Sequence, residues 1–425
     1  MEATHEQTFN ASGYSIHVIE TEKYKTNTIM IKMRAPLQKE TVTMRALLPH
    51  VLQSGTEHAP SAAAFRTALD ELYGALFFAD SAKKGNEHVL TFTMETANEH
   101  YLHGENDLFD RALALLADVL FRPNLKEGLF PEKTVQQEKR SLQQRIRSIY
   151  DDKTRYASLK LVEEMYKEDP YALPAGGLLE KVEPIDSSSL YAYYQKALAE
   201  DVIDIFVIGD VNAQEAVKKI NEHLPFSDRS AVTTQTETGA GSKEVQVIRE
   251  TQDINQGKLN IGCRTTITYN DPQFVAMQVS NGILGAFAHS KLFMNVREKE
   301  SLAYYAASRL DSHKGFVMML AGIDQKNYDK TVQIMNEQLD EMKKGNISDL
   351  EMNQTKALLK NQLQESADTA RGMVEVLYHN IASDTNRPIE QWLKDIDAVT
   401  KEQAAAAAQT ISVDTVYFLS GKEEI

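Results

Sequence analysis

The stretch "RALLPHVLQSGT", residues 45–56, holds the first residues whose types and spacing could do chemistry. Histidines at i and i+4 of a helix project to the same side and can share one zinc ion. A glutamate at i+3 then stands beside the metal and can take a proton from bound water. That is the H-x-x-E-H layout. Here one of its three positions is filled, by His50. Pro49 stands where the glutamate would be and Ala46 where the first histidine would be. Ala46 offers no donor. Pro49 removes a helical hydrogen bond and crowds the carbonyl of residue 45. His50 alone therefore reads as a packed helix residue rather than a ligand. A second polar stretch, "NEHYLHGEND" (98–107), offers Glu99, His100 and His103 without metal-ligand spacing, and reads as an exposed loop. The one cysteine, Cys263, excludes an intramolecular disulfide and any multi-cysteine metal site. It reads as a small buried side chain in "KLNIGCRTTI".

The elements that must position such residues recur in two runs of the same order. An extended apolar stretch comes first (26–37, then 256–267), followed by a helical pattern (40–56, then 271–287). Another strand follows (88–96, then 315–323), then a long amphipathic helix (107–121, then 328–345). A charged helix comes next (130–150, then 348–366), and each run closes on a helix and a strand (189–211, then 400–422). Helices are read from apolar residues at three- and four-residue spacing, such as Leu108, Ala112, Leu115, Leu116 and Val119. Strands are read from short β-branched and aromatic runs. Between the runs lies "SDRSAVTTQTETGAGS" (227–242), polar and rich in Ser, Thr and Gly, which is linker chemistry. The reading is two domains, 1–226 and 243–425, joined by 227–242. The fold class is α+β: two homologous α/β-sandwich halves, each a mostly antiparallel sheet covered by helices, forming a clamshell.

The 425-residue chain has a formal net charge of −15, which disfavours nucleic acid and anionic membrane as partners. No apolar run is long enough to span a bilayer, and the N-terminal residues lack the pattern of a secretory signal. Cytoplasm is the expected location.

The whole chain resembles the pitrilysin/insulinase-type metallopeptidase family, which includes the mitochondrial processing peptidases. The segments that carry the resemblance are "LLPHVLQSGT", "FPEKTVQQEKRSL", "YKEDPYALPAGGLLEKVEPI", "NGILGAFAHSKLFMNVREKESLAYYAAS" and "VIDIFVIGDV". It looks most like small bacterial members, some of which act as pairs of one catalytic and one non-catalytic chain. The resemblance places the family's first histidine on Ala46, its glutamate base on Pro49 and its second histidine on His50. The third metal ligand, seven residues after the acid matched by Glu132, falls on Lys139, a cation. Glu138 is adjacent but lies about 100° around the helix.

In the second half, "NVREKESLAYYAAS" resembles the family's R-x6-Y pattern, in which an arginine and a tyrosine reach toward substrate. Those positions are Arg297 and Tyr304. A guanidinium and a phenol can donate hydrogen bonds to a peptide carbonyl and to the oxyanion of hydrolysis. On spacing alone, Arg297 would instead pair with Glu298 or Glu300, and Tyr304 would pack in the fold. The departures Ala286 and His289 fall where family members often carry Gly and Ser.

These readings imply a non-catalytic subunit without a metal or other cofactor. It would pair with a zinc-binding homologue as a heterodimer and contribute Arg297 and Tyr304 to peptide binding. The alternative is a peptide-binding or scaffolding homodimer. An active enzyme with a displaced metal site is the weakest reading.

Overall fold

The structure is a computed structural model that describes residues 6–11, 13–103, 107–227 and 244–422. The chain folds into two compact units. The first comprises Met1–Ser148 and Leu173–Gln235, the second Ile149–Ala172 and Thr236–Ile425.

In the first unit the strands are β1 (Glu6–Ala11), β2 (Tyr14–Glu20), β3 (Thr26–Pro36), β4 (Leu76–Lys84), β5 (Glu87–Ala97) and β6 (Val202–Gly209). They form one sheet in the order β1-β2-β6-β3-β5-β4. Only the β2–β6 pair is parallel. The central strand β3 is buried on both faces from Asn27 to Met33, which is why Ile29, Met30 and Ile31 follow one another without alternation. Its Ile31 lies opposite Phe92 on one side and Ile205 on the other. The edge strand β4 does alternate. Phe77 and Ala79 point inward, while Leu76 and Phe78 face solvent.

The helices in chain order begin with α1 (Val42–Gln53), α2 (Ala62–Asp70), α3 (Leu108–Phe121) and α4 (Glu132–Asp151). Next comes α5 (Lys153–Met165), which belongs to the second unit, and then α6 (Ser187–Glu200) and α7 (Ala213–His223). Helix α1 packs against β4 and β5, and α3 against β5. Along α4 the buried residues are Val135, Lys139, Leu142 and Ile146, a stripe at three- and four-residue spacing that includes a lysine.

The second unit repeats this plan. Its strands β7 (Gln246–Thr251), β8 (Gly257–Arg264), β9 (Ala303–Asp311), β10 (Phe316–Ile323) and β11 (Ser412–Ser420) are ordered β7-β11-β8-β10-β9. Strand for strand this matches β2-β6-β3-β5-β4, down to the single parallel pair, here β7–β11. The helices are α8 (Phe274–Asn281), α9 (Tyr328–Lys343), α10 (Asp349–Ala367), α11 (Ala370–Ala382), α12 (Ile389–Ala398) and α13 (Lys401–Gln409). Ser348 with Glu351 and Thr400 with Gln403 form capping boxes that start α10 and α13. Two homologous α+β halves with mostly antiparallel sheets are thus present. Cys263 lies fully buried in β8, and burial pushes its thiol pKa up to about 12.

The division into units departs from the sequence reading in one respect. Residues 149–172 precede the linker yet pack on the second unit. Leu161, Met165, Tyr166 and Tyr171 share a core with Phe316, Met318, Leu320, Tyr417 and Leu419. Polar contacts fix the segment. Lys314 pairs with Asp169 at 2.6 Å, and Arg264 donates to the Met165 carbonyl at 2.8 Å. The Tyr171 hydroxyl donates to Asp311 at 2.5 Å. The sheet of the second unit would otherwise leave an apolar face uncovered, so it takes α5 from the sequence of the first half. The linker 227–242, apart from Ser227, lies outside the described residues.

Candidate functional site

Helix α1 runs unbroken through Pro49, which supplies no N–H to the carbonyl of Arg45. The Ala46 side chain is buried, at 2% exposure, and Pro49 is buried too. Arg45, fully buried, ties the helix into the unit. It donates to the Tyr193 hydroxyl (2.9 Å), to Asp201 (2.8 Å), and to the carbonyls of Met33 (2.9 Å) and His88 (3.1 Å). The start of α1 is held by the 176–177 loop. Gly177 sits at φ +85°, and a side chain there would strike the Thr43 backbone. Thr43 in turn accepts a hydrogen bond from the Leu178 amide at 3.0 Å. Thr56 of the "Gly-Thr" pair is fully buried and closes a turn with Ala59.

His50 is half-buried. Burial, and then the Arg145 guanidinium, push its pKa down to about 4, so the ring is neutral near pH 7. Lys139 does not come toward it. The Lys139 ammonium donates to the carbonyls of Glu183 (2.7 Å) and Ile185 (2.8 Å) and is 3% exposed. The α4 side chain that faces the C-terminal end of α1 is Glu138. Ser54 donates to Glu138 at 3.4 Å and to the His50 carbonyl at 2.9 Å. Burial raises the Glu138 pKa, opposed by Arg145 and Ser54. His50, Ser54, Glu138 and Arg145 thus form one polar cluster.

In the second unit, Arg297 lies in a π-helical segment, Phe293–Lys299, and Tyr304 is the second residue of β9. A π-helical turn is uncommon and often marks a functional segment. A second one, Gly282–Ala286, continues α8. Gly285 lies so close to β9 that a side chain would run into the Ser308 backbone, and Ser308 bonds Asn281 at 2.7 Å. A glycine is therefore required to seat this segment on the strand. Arg297 is half-exposed, stacks on Phe293 at 4.6 Å and makes a loose ion pair with Glu298 at 3.6 Å. Tyr304 is 65% exposed rather than packed. The substitution positions nearby are absorbed locally, with His289 sharing a 2.8 Å hydrogen bond with Thr355.

Residues 184–359 match the family model described as the peptidase M16 inactive domain. Over 411 residues the chain is 46% identical to the probable inactive metalloprotease YmfF of Bacillus subtilis (strain 168), covering 97% of this chain and 96% of that one. The chain belongs to the peptidase M16 family. A conserved protein from Enterococcus faecalis V583 superposes with a TM-score of 0.93 at 37% identity, over 99% of both chains. An uncharacterized zinc protease of the same Bacillus subtilis strain, YmfH, is 28% identical over 160 residues, 36% of this chain and 35% of its own.

Within this M16 chain the donor set does not fit zinc. A zinc site needs at least three protein donors. His50 and Glu138 are two, Ala46 is none, and Arg145 sets a cation against both. No group of three or more His, Cys, Asp or Glu able to hold a metal occurs among the described residues. Pro49, beside His50 in α1, can serve neither as a donor nor as a base. The chain is an inactive metallopeptidase homologue. Among the described residues no helix is long and apolar enough to cross a membrane. Sequence reasoning missed the roles of Glu138 and Arg145. The signal was available in α4, where Lys139 completes the apolar stripe and Glu138 does not.

Proposed function

We propose that this chain is a non-catalytic subunit that pairs with a zinc-binding M16 homologue and contributes to binding an extended peptide. The observation that carries this reading is an asymmetry between the two units. In the first, Ala46 and Pro49, which offer neither a metal donor nor a base, are both buried. In the second, Arg297 and Tyr304 remain exposed and without a strong partner. A residue kept only for packing would be covered; a hydroxyl and a guanidinium held at a surface are poised for hydrogen bonding to a ligand.

Two further features support the peptide. Among the described residues the edge strands β4 and β9 each leave one side without a strand partner in their sheets, and an extended chain can add to such an edge main chain to main chain. Strand β4 also presents Leu76 and Phe78 to solvent. Support for the partner comes from Bacillus subtilis, which holds both a probable inactive relative of this chain and a relative named as a zinc protease.

The test is reconstitution. The purified chain is mixed with a zinc-binding M16 homologue from the same organism and assayed on a peptide library. Cleavage is expected in the mixture and not with this chain alone. Tyr304→Phe and Arg297→Ala should each lower kcat about 10²-fold, the scale of a lost oxyanion donor, without preventing co-elution. Unchanged cleavage with both variants would remove the shared-site reading. A stable homodimer that ignores the homologue would favour a scaffold instead.

A further inference from the structure

The second unit carries a cavity of about 430 Å3 among α8, α12 and α13, in the size range of small-molecule sites. Its lining includes Gln273, Val275, Arg387, Asp395, Val399 and Gln403. Arg387 is held as a rigid plate. Its guanidinium stacks on Tyr269, Phe274 and Trp392 at 5.2, 4.8 and 5.9 Å from the ring centres. Its hydrogen bonds go to Tyr269, one of them to the backbone carbonyl at a long 3.4 Å. Asp395 accepts one hydrogen bond, from the neutral Gln391 amide at 2.7 Å.

Among the described residues Arg387 and Asp395 form no ion pair, with each other or with any other side chain. Both are half-buried. Each is partly shielded from water and stands without a counter-ion, and a charge so placed is available to an oppositely charged ligand group. A ligand carrying one anion and one cation would compensate both at once. The two side chains line the same cavity without pairing with each other, so both charges are open to one bound molecule. Val275 and Val399 add an apolar wall, and the amide of Gln273 adds an orienting polar group.

We infer that this cavity binds a small zwitterion bearing an ammonium and a carboxylate, the class of free amino acids and dipeptides. The carboxylate meets Arg387 in a planar, two-pronged contact, the ammonium meets Asp395, and an aliphatic side chain lies on the valines.

Isothermal titration of the full chain tests this with L-leucine, L-leucyl-L-leucine, N-acetyl-L-leucine and L-leucinamide. One of the two zwitterions should bind, and the stronger identifies the source. Removing either charge, as in N-acetyl-L-leucine or L-leucinamide, should weaken binding at least tenfold. Asp395→Asn should weaken the zwitterion at least tenfold while leaving N-acetyl-L-leucine unaffected. Arg387→Gln should do the converse for L-leucinamide. Arg387 packs on core rings, so the capped ligands and Asp395→Asn suffice should that variant misfold. Absence of binding by both zwitterions, equal binding of the capped forms, or an Asp395→Asn protein that binds as the parent does would overturn the assignment.

Discussion

Writing histidine at position 46 and glutamate at position 49 restores the H-x-x-E-H spacing of α1 and asks which α4 residue completes the set. Two structural terms oppose each other. A histidine at Ala46, 2% exposed, overpacks its surroundings by about 1–3 kcal/mol. Replacing Pro49 returns an N–H to the Arg45 carbonyl and removes a helix-interior proline, a change of about 3 kcal/mol in the other direction. The Ala46→His/Pro49→Glu protein should therefore fold. Glu138 faces α1 through Ser54, so it should supply the third donor. At free zinc 100-fold above Kd, binding adds about 2.7 kcal/mol of stability. For a unit of this size that is roughly 5–10 °C in Tm. Differential scanning fluorimetry with zinc and with a chelator reads the shift. Adding Glu138→Gln should cancel it. Adding Lys139→Glu should not enlarge it, and should lower Tm without zinc by setting a carboxylate against the carbonyls of Glu183 and Ile185. If the double variant ignores zinc and Lys139→Glu confers the response, the side-chain directions argued for α4 are wrong.

Two further outcomes concern stability. Asp201→Asn leaves the Arg45 guanidinium buried without its counter-charge and should cost about 3–5 kcal/mol in urea unfolding; a loss below about 1 kcal/mol would show that the pair is not what anchors α1. His17 gives a pH dependence: burial pulls its pKa down, but Asp204 and Glu6 outweigh that and hold it at about 9. The folded value lies above the unfolded 6.5, so this contribution, of order 3 kcal/mol, is complete below pH 6.5 and is lost as pH rises through 9. His17→Gln should flatten the stability profile over that window, and an unchanged profile would contradict the pairing.

The repeated order of elements was legible because β10 is nearly continuous in apolar character, β3 and β8 each hold a cluster of apolar residues, and α3 and α9 are long and periodic. The edge strand β4 was not. Its "LFFADSAKK" mixes exposed apolar and buried small residues, and periodicity cannot separate that from a loop. That Ala46 and Pro49 offer no metal donor was readable from residue type alone, because no rotamer gives either one a donor atom. The α4 assignment was less so. The resemblance pointed to Lys139, whereas in the structure its buried ammonium caps two carbonyls and Glu138 lies on the α1 side. Arg45 carried no signal in sequence: an arginine at 0% exposure needs Met33, His88, Tyr193 and Asp201 around it, and only the fold brings these together. The cavity at Arg387 was equally hidden, since Trp392 alone suggested core.

The transfer of α5 to the second unit sets an order in time. The ribosome releases α5 well before β8, β10 and β11, the strands whose apolar face it covers. Synthesis is slow beside local folding. Leu161, Met165, Tyr166 and Tyr171 are thus synthesised before every strand of the sheet they pack on. Severing the chain between β6 and β7 would not simply yield two independent proteins, because the N-terminal piece holds a part that the C-terminal piece needs. The two halves repeat one plan, but the core of the second is completed by a segment from the sequence of the first.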